Sequence, residues 1–147
     1  MLKGGLWNSG GFGDLAKHRL VDETIRKNKL DFFAISETGR SNFSAPFLKN
    51  ISGGLDYIWY CLPPQGRSGG MLVGLNSQTL QVKDIIAGER CVKLHLSSKS
   101  DNFEWSLVAV YGAAQDEQKH EFLAELVRIC EDNPLPMLVG GYFNIIR

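Results

Sequence analysis

The chain has few cysteines, no excess of charge of either sign and no long apolar run. Its three cysteines, Cys61, Cys91 and Cys130, are odd in number and widely spaced, which argues against disulfides and predicts reduced core residues of an intracellular protein. Sixteen basic residues balance sixteen acidic ones, so no global positive field favours nonspecific nucleic-acid binding. No segment approaches the ~20 apolar residues that span a bilayer, and the polar start is unlike a signal peptide. We therefore expect neither membrane insertion nor secretion.

The remaining composition is that of a globular protein. With 147 residues, of which 44% are hydrophobic and 22% charged, the chain suits a single domain with a sizeable core. Periodicity and turn signals predict two helices, one capped by Asp14 and running to about Lys29, the other over 116–131. Strands are predicted up to Asn8 and over 31–36, 57–61, 70–76, 80–86, 92–96, 103–111 and 137–140. This order predicts an α/β fold whose mixed sheet, including a run of antiparallel strands, is covered by helices.

The pattern also predicts which side chains are buried. Leu15, Leu20, Val21 and Ile25 are expected to form the buried stripe of the first helix, while Lys17 faces water. The strands over 31–36 and 137–140 are nearly continuous apolar runs, which is typical of strands buried on both faces.

Polar residues directly follow four of the predicted strands: Asn8, Glu37, Tyr111 and the segment 142–144. Taken singly, each is more often a solvated loop residue, a cap, a packing residue or a turn residue than part of a site. Strands that end in polar residues are nevertheless where α/β folds place their chemistry.

Five segments, taken in order, resemble the endonuclease/exonuclease/phosphatase superfamily. They are Leu6-Trp7-Asn8, Ile35-Ser36-Glu37-Thr38, Gly66-Arg67-Ser68-Gly69-Gly70, Val110-Tyr111-Gly112, and the segment from Leu138 to Arg147 that contains Gly140-Gly141-Tyr142-Phe143-Asn144. The amino-acid sequence around the last segment resembles that of the endonuclease domain of plant non-LTR (LINE-type) retrotransposons. The resemblance covers nearly the whole chain.

The resemblance implies both a fold and a chemistry. The fold would be a β-sandwich of mixed sheets with flanking helices, the four-layer α/β fold of the family. The chemistry would be hydrolysis of DNA phosphodiesters with Mg²⁺ or Mn²⁺. Glu37 would bind the metal, Asn8 would shape the metal site, Tyr111 would contact the scissile phosphate and Asn144 would orient the phosphate or the attacking water. Oxygen ligands of this kind suit a hard cation that keeps several waters.

The chain departs from the family pattern in two places. Tyr142 stands where the family has the aspartate that orients or deprotonates the attacking water. The chain stops at Arg147, whereas the family continues through a second half that supplies further catalytic residues, so residues 1–147 are expected to be one incomplete domain without its C-terminal part. His18, His95 and His120 do not match the family's catalytic histidine. A lone half is expected to expose an apolar sheet face and to be marginally stable or self-associating.

Several functions therefore stay open. The chain is either a magnesium-dependent DNA endonuclease or, as we prefer, a catalytically impaired retroelement remnant with weak metal or nucleic-acid binding. A third interpretation keeps the fold but changes the substrate to inositol phosphates or poly(A) tails. An unrelated α/β domain would require five ordered matches by chance. The glycines around Arg67 do not have P-loop spacing and indicate a turn, with Arg67 as a candidate contact to the DNA backbone.

Overall fold

The structure of the chain is a computed structural model that describes residues 2–64, 69–112, 116–131 and 134–143. Its elements are β1 (Gly4–Asn8), α1 (Leu15–Asn28), β2 (Phe32–Ser36), α2 (Ala45–Asn50), β3 (Tyr57–Leu62), β4 (Met71–Asn76), β5 (Leu80–Ala87), β6 (Cys91–Ser98), β7 (Glu104–Tyr111), α3 (Asp116–Cys130) and β8 (Met137–Tyr142). The predicted order of strands and helices is confirmed, with α2 added. In the described part of the chain, no helix is both long and apolar enough to cross a bilayer.

The strands divide into two mixed four-stranded sheets. The first sheet has the order β1-β2-β4-β3, and the second has the order β5-β6-β7-β8. Within each sheet one pair is parallel, β1 with β2 and β7 with β8, and the other neighbours are antiparallel. Parallel neighbours need a crossover connection, which α1 and α3 provide. The carboxyl ends of β1 and β2 therefore lie at the same end of the first sheet, and those of β7 and β8 lie at the same end of the second.

The sequence pattern predicted a run of antiparallel strands in one sheet, but the structure interrupts this run between β4 and β5. β4 and β5 follow each other in the chain but belong to different sheets. Backbone hydrogen bonds attach the turn between β4 and β5 to other segments. Ser77 N donates to Asp56 O at 2.8 Å, and Lys99 N donates to Thr79 O at 2.9 Å. Alternation of apolar residues identifies strands but does not say which sheet each joins.

Two of the residues expected in the buried stripe of α1 are exposed. Val21 and Ile25 are buried as predicted, but Leu15 is 62% exposed and Leu20 is 51% exposed. The prediction for Leu15 and Leu20 is wrong because a helix places residues four apart on one face, and Lys17, Val21 and Ile25 are the set with that spacing. Lys17, predicted to face water, is half-buried on this face.

Side-chain caps define where two helices begin. Asp14 caps α1 as predicted, with its side chain accepting a hydrogen bond from Ala16 N. Ser44 caps α2 by accepting from Phe47 N, and Pro46 lies in the first turn of that helix. Proline has no N–H group, and the N–H groups of the first turn have no intrahelical acceptor, so none is lost there. Its fixed φ also suits the first turn.

The two sheets pack face to face, with helices on the outer faces. The inner faces form a shared core that includes Phe32, Val73, Leu94 and Leu107. α1 and α2 cover the outer face of the first sheet, and α3 covers that of the second. Burying a side chain such as Leu94 fully contributes roughly 1.5–3 kcal/mol. The four-layer α/β fold is thus confirmed, whereas the expectation of an exposed inner sheet face is wrong because each sheet buries the other.

β8 lies at the edge of the second sheet and is not the buried strand that its apolar sequence predicted. Leu138 is 45% exposed, Val139 is 37% exposed and Tyr142 is 44% exposed. An apolar run has the same sequence signature in an edge strand as in a central one. β2, by contrast, is buried along its whole length, as predicted.

All three cysteines are free, and one of them lies outside the core. Cys91 is buried as predicted, and Cys130 is half-buried. The prediction for Cys61 is wrong, because this residue is exposed on β3, an edge strand of the first sheet.

Candidate active site

Glu37 is the first residue after β2 and has an uncommon backbone conformation. Its φ is +57°, in the left-handed region that residues other than glycine seldom adopt. Gly11 N donates a hydrogen bond to the carbonyl oxygen of Glu37 at 2.8 Å, which holds this conformation from the neighbouring loop. The half-buried carboxylate is thereby directed toward the second sheet.

Tyr111, the last residue of β7, joins the two sheets through its hydroxyl group. Its Oη donates a hydrogen bond to Glu37 Oε1 at 2.7 Å across a sequence separation of 74 residues. Burial raises the pKa of Tyr111 above its ordinary value, and the hydrogen bond and charge of Glu37 raise it further. The phenol therefore stays protonated at neutral pH and acts as a donor.

Asn8 is the last residue of β1 and lies at the same end of the first sheet as Glu37. It lies beside Ser36 in the parallel ladder, and its Oδ1 accepts a hydrogen bond from Gly10 N at 3.1 Å. Gly10 in turn passes close to the carboxylate, since a Cβ added to it would lie 4.0 Å from Glu37 Oε2. Asn8 and Glu37 thus occupy the same end of the sandwich, as their positions after parallel strands predict.

Tyr142 lies beside Tyr111 at the end of β8. The two residues are paired in the parallel ladder, and their rings stack with centroids 5.9 Å apart and an interplanar angle of 30°. Gly112 N donates to Tyr142 O at 2.6 Å. Gly141 has a φ of +136°, and a Cβ there would come within 2.1 Å of Val110 O, so only glycine fits this approach to position 142. The site thus presents an aromatic ring at this position.

Other predicted residues are not brought into this group. Asn144 and Arg67 lie outside the described residues, so their predicted roles stay predictions. His18 Nε2 is 2.7 Å from Phe12 O, and His95 Nε2 is 2.7 Å from Glu104 Oε1, while His120 is exposed on α3. These three surroundings are those of structural or surface residues, and none of the three histidines lies beside Glu37 in the described contacts.

The donor atoms of this site suit a divalent cation. Within the described ranges, no group of three or more His, Cys, Asp or Glu side chains could hold a metal ion. Glu37 offers a carboxylate and Asn8 an amide oxygen, which are the hard oxygen donors that Mg²⁺ prefers. Mg²⁺ commonly binds through one or two carboxylates, with water and substrate phosphate as the remaining ligands. The residues present therefore fit such an ion, as a site completed by water or phosphate.

A cleft of about 220 Å³ lies beside these residues, between the edge strands β1 and β8. Asn8 and Tyr142 line it from opposite sheets, and Met71 lines it from β4. Gly140 leaves room there for Leu6, because a Cβ at Gly140 would come within 2.2 Å of the Leu6 side chain. The cleft thus joins the site to the flank of the molecule where, among the residues that the structure describes, β1 and β8 are edge strands.

Two residues near the site were missed by the sequence analysis. Lys17 and Ser9 both hydrogen-bond to backbone that surrounds Glu37. The spacing of Lys17 from Val21 and Ile25 was the available signal, because it places the ammonium on the buried face of α1. For Ser9, no feature of the sequence distinguishes it from an ordinary turn residue.

Comparison with known protein families gives a match that covers almost the whole chain. Residues 5–146 match the model described as the Endonuclease/Exonuclease/phosphatase family. No curated protein sequence matches the chain.

Many solved structures share the fold. Mannosyl-6-phosphatase from Bacteroides thetaiotaomicron has a TM-score of 0.67 at 10% identity, with 97% of this chain and 66% of that chain covered. D. rerio TDP2 complexed with a single-strand DNA product has a TM-score of 0.69 at 13% identity, covering 99% and 62%. An AP endonuclease from Archaeoglobus fulgidus has a TM-score of 0.67 at 16% identity, covering 96% and 56%. The chain thus spans less than two thirds of each of these structures.

Proposed function

Because the chain belongs to the endonuclease/exonuclease/phosphatase family, we propose that it binds a divalent metal ion and a DNA phosphodiester at Glu37, and that Tyr142 impairs hydrolysis. The observation that carries this proposal is the 2.7 Å hydrogen bond from Tyr111 Oη to Glu37 Oε1. It brings a carboxylate from one sheet and a protonated phenol from the other to the ends of parallel strands. A metal ligand and a phosphate donor need this juxtaposition.

Each residue has a distinct task in the proposed site. Glu37 and the amide oxygen of Asn8 would hold Mg²⁺ or Mn²⁺, which when bound neutralises charge that develops on the phosphate oxygens. Tyr111 keeps its proton at neutral pH because its pKa is raised, so it donates a hydrogen bond and does not compete as an anion. Such fixed donors stabilise a phosphate without reorganising during the reaction.

Tyr142 is the reason to propose impaired turnover. By resemblance, the family has an aspartate at this position, which orients or deprotonates the attacking water. An ordinary phenol has a pKa of ~10 against ~3.9 for aspartic acid, so a phenol does not replace a carboxylate base at neutral pH. Losing a positioned acid–base group costs about 10²–10⁴-fold in rate. The stacking of Tyr142 on Tyr111 supports this proposal, because a packed aromatic ring occupies the position where the family has a carboxylate.

A second candidate is a retroelement remnant that binds metal or nucleic acid without turnover. The resemblance of the segment from Gly140 to Arg147 to plant LINE-type endonucleases supports this origin and favours DNA over inositol phosphates, sugar phosphates or poly(A). One neighbour in fold has a single-strand DNA product bound and another is a sugar phosphatase, so the fold alone serves both substrate classes. The two candidates differ in whether the parent chain turns over.

Nicking of supercoiled plasmid DNA in the presence of Mg²⁺ tests the proposal. The parent chain is expected to nick slowly or not at all, and Tyr142→Asp is expected to raise the rate by about 10²-fold or more, since it restores a carboxylate. Glu37→Gln should abolish both residual nicking and Mn²⁺ binding measured by electron paramagnetic resonance. EDTA should remove any activity that remains.

Glu23→Gln is the matched control, because Glu23 is an exposed carboxylate on α1 away from Glu37. Parent-level Mn²⁺ binding in Glu37→Gln would show that this carboxylate is not the metal ligand. Rapid nicking by the parent that is lost in Glu37→Gln would show instead that Tyr142 does not impair the site. No nicking by folded Tyr142→Asp would favour the remnant.

A further inference from the structure

Lys17 holds the loop that follows β1, which we call the clamped loop and define as residues 9–11. Lys17 Nζ donates hydrogen bonds to Ser9 O at 2.7 Å and to Gly11 O at 2.9 Å. Hydrogen bonds with an ionised donor are roughly twice as strong as neutral ones. The side chain is half-buried, so water competes less for these carbonyl groups than it would on an open helix surface.

The clamped loop in turn fixes the backbone of Glu37. Ser9 N donates to Ser36 O at 3.0 Å, and Gly11 N donates to Glu37 O at 2.8 Å. The single hydroxyl proton of Ser9 is shared between two acceptors, Ser36 O at 2.9 Å and Glu37 O at 3.1 Å from Oγ. The left-handed backbone of Glu37 is costly for a residue with a side chain and persists only where its surroundings hold it. These hydrogen bonds supply that restraint.

The same loop also passes the free side of the carboxylate. A Cβ added to Gly10 would lie 4.0 Å from Glu37 Oε2, the oxygen not bonded to Tyr111. Gly10 N also donates to Asn8 Oδ1, so the loop sets the direction of the amide. Both proposed oxygen donors therefore depend on the position of one short loop.

We infer that Lys17 is a positioning residue of the Glu37 site, which acts through the clamped loop and does not touch the metal itself. This inference rests on the proposed function, because it takes Glu37 as the metal ligand. Without the ammonium, the carbonyl groups of Ser9 and Gly11 lose their common partner, and the restraint on Glu37 and Asn8 weakens.

The expected effect is a loss of metal affinity. Residues that orient metal ligands from outside typically change affinity by about 10–100-fold when they are replaced. Lys17→Met keeps an unbranched side chain but removes the donors, so Mn²⁺ affinity should fall by about tenfold or more. Lys17→Arg keeps the charge and several N–H donors, and its affinity should lie closer to that of the parent than to that of Lys17→Met.

Electron paramagnetic resonance of free Mn²⁺ measures these affinities on the full chain. Lys27→Met is the matched control, because Lys27 is on the same helix and its side chain is exposed. It should bind Mn²⁺ like the parent. Circular dichroism and the metal-free thermal midpoint of each variant separate a positioning role from a stabilising one. A lowered midpoint with unchanged affinity in Lys17→Met would overturn the inference.

Ser9→Ala provides a second test if Lys17→Met does not fold. It removes the hydroxyl that reaches Glu37 O, at the other end of the same connection. Reduced Mn²⁺ affinity in Ser9→Ala supports the inference, and parent affinity in Ser9→Ala overturns it. If Glu37→Gln also binds like the parent, the proposed function fails, and the inference fails with it. If Glu37→Gln loses binding while Lys17→Met and Ser9→Ala do not, only the role of Lys17 is wrong.

Discussion

At the residue scale, the two stacked tyrosines serve different purposes. Tyr111 is buried and donates a hydrogen bond from its hydroxyl group to Glu37, so its ring and its polar atom are both engaged. Tyr142 packs its ring on Tyr111 but remains 44% exposed. Aromatic pairs of this kind contribute about 0.5–1.5 kcal/mol beyond the area that they bury. Tyr142 thus stabilises the end of β8 while removing the carboxylate that the family resemblance predicts there.

Replacing Tyr111 by phenylalanine isolates the hydrogen bond, because the ring stays. The free energy of unfolding is expected to fall by about 1 kcal/mol, the net value of a typical hydrogen bond, since half-buried Glu37 regains some water. Urea denaturation at pH 7 measures the change. Tyr142→Phe is the control and should unfold like the parent, because its hydroxyl lies on an exposed residue. Equal stability of Tyr111→Phe and the parent would mean that the bond contributes nothing net.

The stabilising effect of Tyr111 should also depend on pH. Its pKa is raised in the folded protein, so the folded state keeps the phenolic proton at a pH where the unfolded chain loses it. The contribution is fully present below the ordinary tyrosine pKa of about 10 and is lost as the pH rises above it. The stability difference between parent and Tyr111→Phe should therefore begin to shrink at about pH 10 and keep shrinking until the pH passes the raised pKa of folded Tyr111.

The sequence alone identified polar residues after strands but not how they meet. Glu37 and Tyr111 are 74 residues apart and belong to different sheets, and no local pattern encodes their contact. The family resemblance assigned both residues to one site, as metal ligand and as phosphate contact, but did not predict the hydrogen bond between them. Lys17 is the opposite case, because its spacing from Val21 and Ile25 already placed it on the buried face, and its charge alone led to the wrong prediction.

At the element scale, α3 is fastened to the start of β6 by one buried carboxylate. Glu125 Oε1 accepts hydrogen bonds from Arg90 N at 3.0 Å and from Cys91 N at 3.1 Å. Gly88 leaves the necessary space, since a Cβ there would come within 2.2 Å of that oxygen. Burial, followed by the charge and hydrogen bond of Glu125, raises the pKa of Cys91 to about 12. Because Tyr111 N donates to Arg90 O, the same connection supports the strand that carries Tyr111.

Truncating this carboxylate should weaken the whole second sheet. Glu125→Ala leaves two backbone N–H groups without their acceptor, and each buried unsatisfied donor costs about 1–3 kcal/mol, so we expect a loss of about 3 kcal/mol. Glu125→Gln keeps an acceptor oxygen and should lose less. Glu121→Ala, an exposed change on the same helix, is the control. Urea unfolding followed by circular dichroism gives the three values, and an effect of Glu125→Ala no larger than the control would contradict the assignment.

Other elements show where sequence patterns end. The sequence pattern predicts no helix where α2 lies, yet Pro46 fits the first turn of a helix and Ser44 supplies the cap. β8 was read as a buried strand because it is apolar, but burial depends on whether another strand pairs with it. Element type was thus encoded locally, whereas burial was set by position in the sheet.

At the scale of the whole molecule, one flank carries one unpaired edge of each sheet in the part of the chain that the structure describes. β1 and β8 are edge strands of their sheets and face each other across the 220 Å³ cleft. Leu6 of β1 and Leu138 and Val139 of β8 are each more than one third exposed. Unpaired edges with apolar side chains favour association with another chain. We propose that this flank accounts for the self-association expected from the sequence.

A charge on the open edge should disrupt that association. Val139→Lys places an ammonium in β8, and charged residues on edge strands oppose pairing with other chains. Sedimentation velocity over a range of concentrations should show a dimer or larger species for the parent and a larger monomer fraction for the variant. Ile86→Lys, on the opposite edge strand of the second sheet and 45% exposed in the parent, is the control. A parent that is monomeric throughout would refute the proposal.

The division of the strands between the sheets also follows the direction of synthesis. Every strand of the first sheet precedes residue 77, and every strand of the second follows residue 79. At the ~5–20 residues per second of translation, synthesis from residue 77 to Tyr142, the last residue of β8, takes roughly 3–13 s after the last strand of the first sheet has been made. During that interval Phe32, Ala34 and Val73 have no second sheet to cover them. A nascent chain of this protein therefore exposes the apolar inner face of its first sheet during synthesis, and this exposed face is what a chaperone would bind first.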